Sequence, residues 1–271
     1  MKILVIGSSG LVGSRFVELS RDRDSLICPR SQELDITLKN LDLKDADVVI
    51  NFAAFTNVSE GENQRGDKNG LCWRLNVDGI KNILTNISPD TLFIQISTDM
   101  VFPGSVENSG PYAENAHLEI DSQKLTWYGY TKAEGERLAK DHTVLRLIYP
   151  VRAKYNFKLD YLRKPLKLFD EGKLYPLFTD QHVSIAFIDE VCLALEKIIQ
   201  TKATGIFHAG SRDTATPFEL ISYLLEKARN YKGPLKTNSL DIFLKTVDNP
   251  IRYPKFGGLK VEETEKKLAI K

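Results

Sequence analysis

Apolar positions along the chain alternate between two textures. Ile3-Leu4-Val5-Ile6, Ser25–Cys28, Ala46–Ile50, Leu92–Ile96 and Thr143–Leu147 are short runs of strand length. Runs of this kind read as strands buried on both faces of a parallel sheet. Between them the apolar spacing becomes helical, over Leu11–Leu19, over Leu71–Leu84 (through Leu71, Leu75, Ile80, Ile83 and Leu84) and over Tyr128–Lys140. Strand and helix in alternation predict an α/β fold, a doubly wound parallel sheet covered by helices.

Beyond Pro150 the texture changes. A Lys- and Arg-rich helix is predicted over Phe157–Phe169, a strand over Leu174–Phe178 and a helix over Asp189–Ile199. A short strand over Ile206–Ala209 and a helix over Phe218–Ala228 follow, the latter with Thr216 as N-cap and Pro217 at its first position. No second glycine-rich turn occurs here. The division expected is a dinucleotide-binding domain over residues 1–150 and a smaller substrate lobe over 151–271, packed against it and partly interleaved. Two polar stretches stand out. Pro103–Thr126 is long for a connection and reads as an active-site cover or a disordered segment, and Ser59–Gly70 reads as an exposed, mobile loop.

Composition removes several function classes. A net charge of +1 over 271 residues gives no basic field for nucleic acid and no acidic tail. No apolar run approaches the roughly 18 residues of a membrane helix. The N-terminal apolar stretch is broken by Gly7 to Gly10 and Arg15, which argues against a signal peptide. The three cysteines, Cys28, Cys72 and Cys192, fit neither a disulfide framework nor a metal site, and a reducing cytoplasm is expected. The four histidines show no ligand spacing, so no metal is expected and a surface or core role is.

Candidate chemistry begins at Gly7, Gly10 and Gly13, which directly follow the first strand and open the first helix. Such a turn brings backbone amides and a helix N-terminus close to a dinucleotide pyrophosphate. Downstream, Ser97, Thr98 and Asp99 end a predicted strand on the edge where ligands bind in open α/β sheets. Tyr128 and Lys132 then lie four apart on one helix face. A nearby ammonium is expected to lower the tyrosine pKa and make the phenol a general acid. Thr98 can hydrogen-bond the same substrate oxygen.

These motifs resemble an extended short-chain dehydrogenase/reductase, and within it the dTDP-4-dehydrorhamnose reductase family. The resemblance is carried by Gly7-Ser-Ser-Gly-Leu-Val-Gly13, Leu34-Asp-Ile-Thr37, Val49-Ile-Asn-Phe-Ala-Ala-Phe-Thr56, Ser97-Thr-Asp-Met-Val-Phe-Pro-Gly104 and Tyr128-Gly-Tyr-Thr-Lys-Ala-Glu-Gly-Glu136. Looser echoes follow at Asp180-Gln181, Gly205–Ala209 and Arg252-Tyr-Pro254. It implies a Rossmann fold, a Thr98/Tyr128/Lys132 catalytic set and reduction of the 4-keto group of a dTDP-linked 6-deoxyhexose, yielding dTDP-L-rhamnose. Tyr128 would be the acid. Lys132 would hold the nicotinamide ribose and tune the tyrosine, and Thr98 would orient the carbonyl.

By the same resemblance the cofactor lies against Gly7, Ser9, Gly10, Leu11, Val12, Gly13, Asp35, Ile36, Phe52, Ala53, Ala54 and Thr56, with Asn76 bracing the central helix. Thr98, Asp99, Val101 and Tyr149 would meet the substrate, and a homodimer is implied. Three positions depart from the family pattern. Arg15 replaces a glutamate that takes part in a metal-linked dimer contact, so no metal is carried over. Val183-Ser-Ile-Ala186 replaces Gly-Ser-Pro-Thr, and Tyr149 stands where Trp is common.

Arg30, just after the second strand, can fork onto the 2′-phosphate of NADP, whereas Glu33 and Asp35 leave NAD open. Lys158, Arg163, Lys164 and Lys167 are candidate partners for the substrate diphosphate. Competing readings remain. Dehydration is disfavoured because Met100, which cannot transfer a proton, follows Thr98-Asp99. An epimerase on the same scaffold, a broad carbonyl reductase and a non-catalytic NADP-binding subunit like that of animal methionine adenosyltransferase stay open.

Overall fold

A computed structural model describes residues 1–20, 25–247 and 252–270. The first half lays down β1 (Lys2–Ile6), α1 (Gly13–Leu19), β2 (Ser25–Ile27), β3 (Val48–Asn51), α2 (Val58–Glu62), α3 (Leu71–Trp73), α4 (Gly79–Asn86), β4 (Leu92–Thr98), α5 (Trp127–Leu138) and β5 (Thr143–Leu147). The second adds β6 (Pro150–Val151), α6 (Arg163–Asp170), β7 (Leu177–Phe178), β8 (Ala186–Phe187), α7 (Ile188–Thr201), β9 (Gly205–Ala209), α8 (Pro217–Arg229), β10 (Thr237–Asn238), α9 (Leu240–Lys245) and α10 (Glu262–Leu268).

Six strands pair in parallel in the order β2-β1-β3-β4-β5-β9. The twofold alternation of strand side chains divides the core. Ile3, Val5, Ile50, Ile94 and Leu145 point to one face, under Phe16 of α1, Val191, Leu195 and Ile198 of α7 and Leu268 of α10. Leu4, Ile6, Val49, Phe93 and Val144 point to the other, under Ile80 and Ile83 of α4. Chain beyond residue 150 thus supplies the sixth strand and two of the covering helices. The short pairs β7-β10 and β6-β8 stand apart from the main sheet, with α6 and α8 joined to β7 through Leu166, Ile221, Leu225 and Leu177.

Several expected elements are redrawn. The helix expected over Leu71–Leu84 contains a π-helical turn at Arg74–Asp78 between α3 and α4. There the Asn76 side chain hydrogen-bonds Phe55 and Thr131 outside the helix as well as Cys72 Sγ within it. The helix expected from Phe157 starts only at Arg163. The Asp160 carboxylate accepts from the amides of Leu162 at 3.1 Å and Arg163 at 2.9 Å, fixing the start after itself. Ser59–Gly70 is no loose loop throughout: α2 lies in it, capped by Asn57, with Gly61 and Glu62 buried. Of Leu174–Phe178 only Leu177 and Phe178 pair as strand. Pro103–Thr126 is pinned by Tyr112, whose ring stacks on Phe102 at 4.1 Å and whose backbone bridges Leu259.

Candidate active site

β1, β3, β4 and β5 end on one edge of the sheet, in register Ile6–Asn51–Gln95 and Thr98–Leu147. The order in which strands are added reverses between β1 and β3, β2 lying to one side of β1 and β3 to the other, the place where an open α/β sheet leaves a crevice. Gly7 takes φ +77° there, in the left-handed region that glycine tolerates. A Cβ on Gly7 would meet the Ala53 nitrogen at 2.7 Å, and one on Gly13 would meet the Gly7 carbonyl oxygen at 2.5 Å. The turn therefore closes tightly onto the start of α1, and Gly10 donates to the Gly7 carbonyl at 3.0 Å. A dinucleotide pyrophosphate fits a cradle of this kind.

Not every expected contributor turns toward the crevice. Leu11, Val12 and Phe52 lean on the core, and the Phe52 ring lies 6.1 Å from that of Phe16. Ala53 is held by its amide on Asn51 at 3.1 Å, and Ala54 and Thr56 follow in the same partly open segment. Ile36 is a core residue, against the expectation. Its side chain packs where a Cβ on Gly79 would be, and its carbonyl accepts from Asn82. Asn76, 1% exposed, is a brace tying Phe55 to Thr131 and does not contact the crevice. Asp35 accepts from the amide and hydroxyl of Thr37 through Oδ1, and Glu33 from the Arg30 amide through Oε2. The Arg30 guanidinium, by contrast, is exposed and makes no hydrogen bond or ion pair among the described residues.

Tyr128 and Lys132 reach the edge because α5 docks closely on the end of β4. A Cβ on Gly129 would overlap the Met100 carbonyl oxygen at 2.1 Å, and Thr126 caps the helix by accepting from the Gly129 amide at 2.9 Å. Glu62 of α2 accepts from the Trp127 amide at 2.9 Å and is paired with Arg65, which in turn binds the carbonyls of Ser122 and Leu125. The charged stretch around Glu62 gave no sequence signal of this anchoring role.

The Tyr128 phenol lies beside Thr98 and Asp99. Burial holds it above the usual tyrosine range, with the nearby Asp99 and Cys72 adding to the shift. This reverses the expectation that Lys132 lowers it. The Lys132 ammonium is turned to the Ile96 carbonyl, 2.6 Å away, and burial brings its own pKa down to about 8 against the opposing pull of Glu136. Thr98 donates to Asp99 Oδ1 at 3.2 Å and accepts from the Met100 amide at 3.3 Å. Asp99 is buried and its carboxyl is pushed up to about 7 by desolvation. Val101, expected at the substrate, is wholly buried with Phe102, Tyr112 and Leu125 and only backs the site. Tyr149, partly buried against the Val101–Tyr112 cluster, takes φ +37°, with its ring 4.1 Å from that of Tyr161. A non-glycine residue at that φ is sterically costly, by about 1–3 kcal/mol.

A segment absent from the sequence expectations crosses this edge. Arg152, right after β6, reaches the glycine turn and α1. It donates to the Leu11 carbonyl at 3.3 Å, to Ser14 Oγ at 3.0 Å and to both oxygens of Glu18 at 3.0 and 2.9 Å. The Tyr155 hydroxyl donates to the Ser9 carbonyl at 2.7 Å, and the Lys158 ammonium lies 3.5 Å from the Thr56 hydroxyl. A cavity of about 590 Å3 opens between this strap, Ser9, Ser14 and Asp189. Of the basic residues expected at a diphosphate, Arg163 is used up on Asp160 and the carbonyls of Tyr155 and Lys158. Lys167 faces Glu171 at 3.8 Å on the surface, and Lys164 is exposed. Arg15 forks onto Asp189 of α7 at 2.7 and 2.9 Å. Among the described residues no group of three or more His, Cys, Asp or Glu is arranged to hold a metal, and no helix is long and apolar enough to cross a membrane.

Comparison with known proteins agrees with this geometry. A probable low-salt glycan biosynthesis reductase, Agl14, of Haloferax volcanii is 26% identical over 99% of this chain and 92% of its own length. A dTDP-4-dehydrorhamnose reductase of Aggregatibacter actinomycetemcomitans is 28% identical over 76% of this chain and 72% of its own. The crystal structure of dTDP-4-dehydrorhamnose reductase from Bacillus anthracis, in complex with NADP, superposes with a TM-score of 0.75 at 22% identity, over 99% of this chain and 97% of that one. The profile of the RmlD substrate binding domain matches residues 1–271. The chain therefore belongs to the RmlD family, that of the dTDP-4-dehydrorhamnose reductases, which are NAD(P)-dependent oxidoreductases.

Proposed function

We propose that this protein reduces the 4-keto group of a dTDP-linked 4-dehydro-6-deoxyhexose, dTDP-4-dehydrorhamnose to dTDP-L-rhamnose, with NADPH as hydride source. The reading rests on one observation above all: Tyr128 of α5 brought against Thr98 at the end of β4, on the sheet edge that carries the glycine turn. Reduced nicotinamide, when bound, supplies the hydride. The protein's own groups do the rest. Thr98 holds the carbonyl oxygen in place, and Tyr128 gives it a proton as the carbon is reduced. A phenol kept neutral by burial is in the right form to donate. Lys132, behind it, is placed to hold the ribose of the dinucleotide when it leaves the Ile96 carbonyl.

NADP is favoured over NAD by Arg30, whose guanidinium is exposed and uncommitted after β2, where it can fork onto a 2′-phosphate. Met100 beside Asp99 offers no proton, which supports reduction over dehydration. The test is a panel of nucleotide-linked keto sugars with NADPH and NADH, with Tyr128→Phe as control. Oxidation of NADPH with the dTDP-linked 4-keto sugar, lost in Tyr128→Phe, supports the reading. Cofactor binding without turnover of any sugar in the panel would refute it.

A further inference from the structure

Residues 153–159 form a loop with a firm neck and a lightly held tip. At the neck the Asp160 carboxylate accepts from the Arg152 amide at 3.2 Å, which brings the two ends of the loop together. The same carboxylate, its side chain 1% exposed, pairs with the Arg163 guanidinium at 2.7 Å. That guanidinium fills the loop from inside, donating to the carbonyls of Tyr155 at 2.6 Å and Lys158 at 2.7 Å. Closed ends and a packed interior are the marks of an Ω-loop, which can swing as one piece about its neck.

The tip rests on two single contacts, one on each wall of the crevice. On the wall after β1 the Tyr155 hydroxyl donates to the Ser9 carbonyl at 2.7 Å. On the wall after β3 the Lys158 ammonium lies 3.5 Å from the Thr56 hydroxyl. The loop therefore spans the groove in which the glycine turn would cradle a pyrophosphate.

The cations around that turn are not alike. Arg15 is forked on Asp189 and also meets Glu18. Arg152 is engaged by Glu18, Ser14 and the Leu11 carbonyl. Lys158 has no carboxylate partner among the described residues, and its contact with Thr56 stands at the outer limit of a hydrogen bond. A phosphate oxygen in the groove would take the ammonium over, because a bond between two charged groups is about twice as strong as one to a neutral hydroxyl.

We propose that Lys158 is a cation for the dinucleotide pyrophosphate, and that the loop 153–159, which carries it, is the cover of that groove. This role rests on the dinucleotide half of the reductase reading and is independent of the sugar. Tyr155 latches the cover to Ser9, and the neck at Asp160 is the pivot on which it lifts for the dinucleotide to enter and leave. Both walls that the tip touches belong to the crevice between β1 and β3, whereas Thr98 stands at the end of β4. The contacts thus favour the dinucleotide over the substrate diphosphate.

The experiment is binding of NADPH and of NADH to the parent, Lys158→Ala, Lys158→Arg and Tyr155→Phe, followed by nicotinamide fluorescence at equilibrium and by stopped flow. The pyrophosphate is common to the two dinucleotides. Lys158→Ala is therefore expected to raise Kd about tenfold for each of them, and Lys158→Arg to return it to within about threefold of the parent. Tyr155→Phe removes only the latch, so the dissociation rate of NADPH rises about fivefold or more. Both contacts are exposed, so the urea midpoint of each variant stays at the parent's value.

A Lys158→Ala protein with the parent's Kd, or a Lys158→Arg protein no better than Lys158→Ala, overturns the assignment. A raised KM for the keto sugar with an unchanged Kd for NADPH overturns it too, and gives the lysine to the substrate diphosphate. A Tyr155→Phe protein that releases NADPH at the parent's rate overturns the cover. The two readings fail separately. A parent that shows these shifts yet turns over no keto sugar sinks only the reductase reading, whereas an active parent beside an unaltered Lys158→Ala sinks only the role of the loop.

Discussion

The ammonium of Lys132 donates to the carbonyl oxygen of Ile96 at 2.6 Å, two residues before the strand ends in Thr98. Its pKa, brought down by burial to about 8, means that the folded protein carries a charge it would rather lose. The unfolded chain binds that proton up to about pH 10.4. A depressed base therefore destabilises the fold fully below pH 8, and the penalty fades as pH rises from 8 to 10.4. Lys132→Met is expected to raise stability at pH 7 by about 1–3 kcal/mol. It should also lower kcat/KM by about 100-fold or more. Urea unfolding at pH 7 and at pH 10 measures the first effect, which shrinks at the higher pH, and steady-state kinetics measures the second.

Arg30→Ala is expected to raise KM for NADPH by about tenfold or more and to leave KM for NADH nearly unchanged, because a forked guanidinium contact exists only with the 2′-phosphate. Equal losses with both cofactors would assign Arg30 to general loop structure.

Arg152 joins β6 to the glycine turn, and its side chain is 8% exposed. Arg152→Ala removes donors from the Leu11 carbonyl, Ser14 and Glu18 at once. The turn then loses its outer support, and the expected result is a Kd for NADPH about five- to tenfold higher with a stability loss of about 1–3 kcal/mol. Titration of cofactor fluorescence and a denaturant series check the two parts.

Arg146 and Glu136 form a fully buried pair, the guanidinium forked on the carboxylate at 2.7–3.1 Å and lying over the Phe102 ring. Arg146→Met leaves the carboxylate without its partner and should cost about 3–5 kcal/mol. Adding Glu136→Leu should return most of that loss. A double mutant no more stable than Arg146→Met would show that the pair is not the unit involved.

His208 lies against Arg146 and the Lys260 carbonyl, and burial, followed by the Arg146 charge, brings its pKa to about 3. A depressed base of this kind lets the unfolded state take up a proton first. Stability attributable to His208 is complete above about pH 6.5 and is lost as pH falls toward 3. Asp99, with its raised pKa, contributes with the opposite slope between about pH 4 and 7. The difference between parent and His208→Gln isolates the histidine. The parent should lose more stability than the variant between pH 6.5 and 5, by about 1–2 kcal/mol.

The sheet was legible because strands buried on both faces must be apolar throughout, as Leu4, Val5, Val49 and Ile50 are. The glycine turn and the Tyr128–Lys132 spacing were legible for a similar reason, since backbone approach and helical geometry restrict which residues fit. What escaped the sequence was set by contacts between distant segments. Arg152 and Tyr155 read as ordinary loop residues until their bonds to Leu11 and Ser9 appear, 141 and 146 positions away. The direction of the Tyr128 shift escaped for the same reason. A pair four apart on a helix suggests contact, but burial and the Ile96 carbonyl decide where the ammonium points. Ile36 and Val101 sit in motifs that face the crevice, yet their own side chains turn into the core.

The missing side-chain carbon at position 13 has reach well beyond the nucleotide turn. With an oxygen only 2.5 Å from where a methyl would stand, Gly13→Ala can find room only by lifting the first helix from the sheet. That helix also carries Ser14, Arg15 and Glu18, the residues gripped by Arg152 and Asp189. One methyl group would thus loosen the grip of Arg152 and Asp189 on α1 as surely as it spoiled the pyrophosphate cradle.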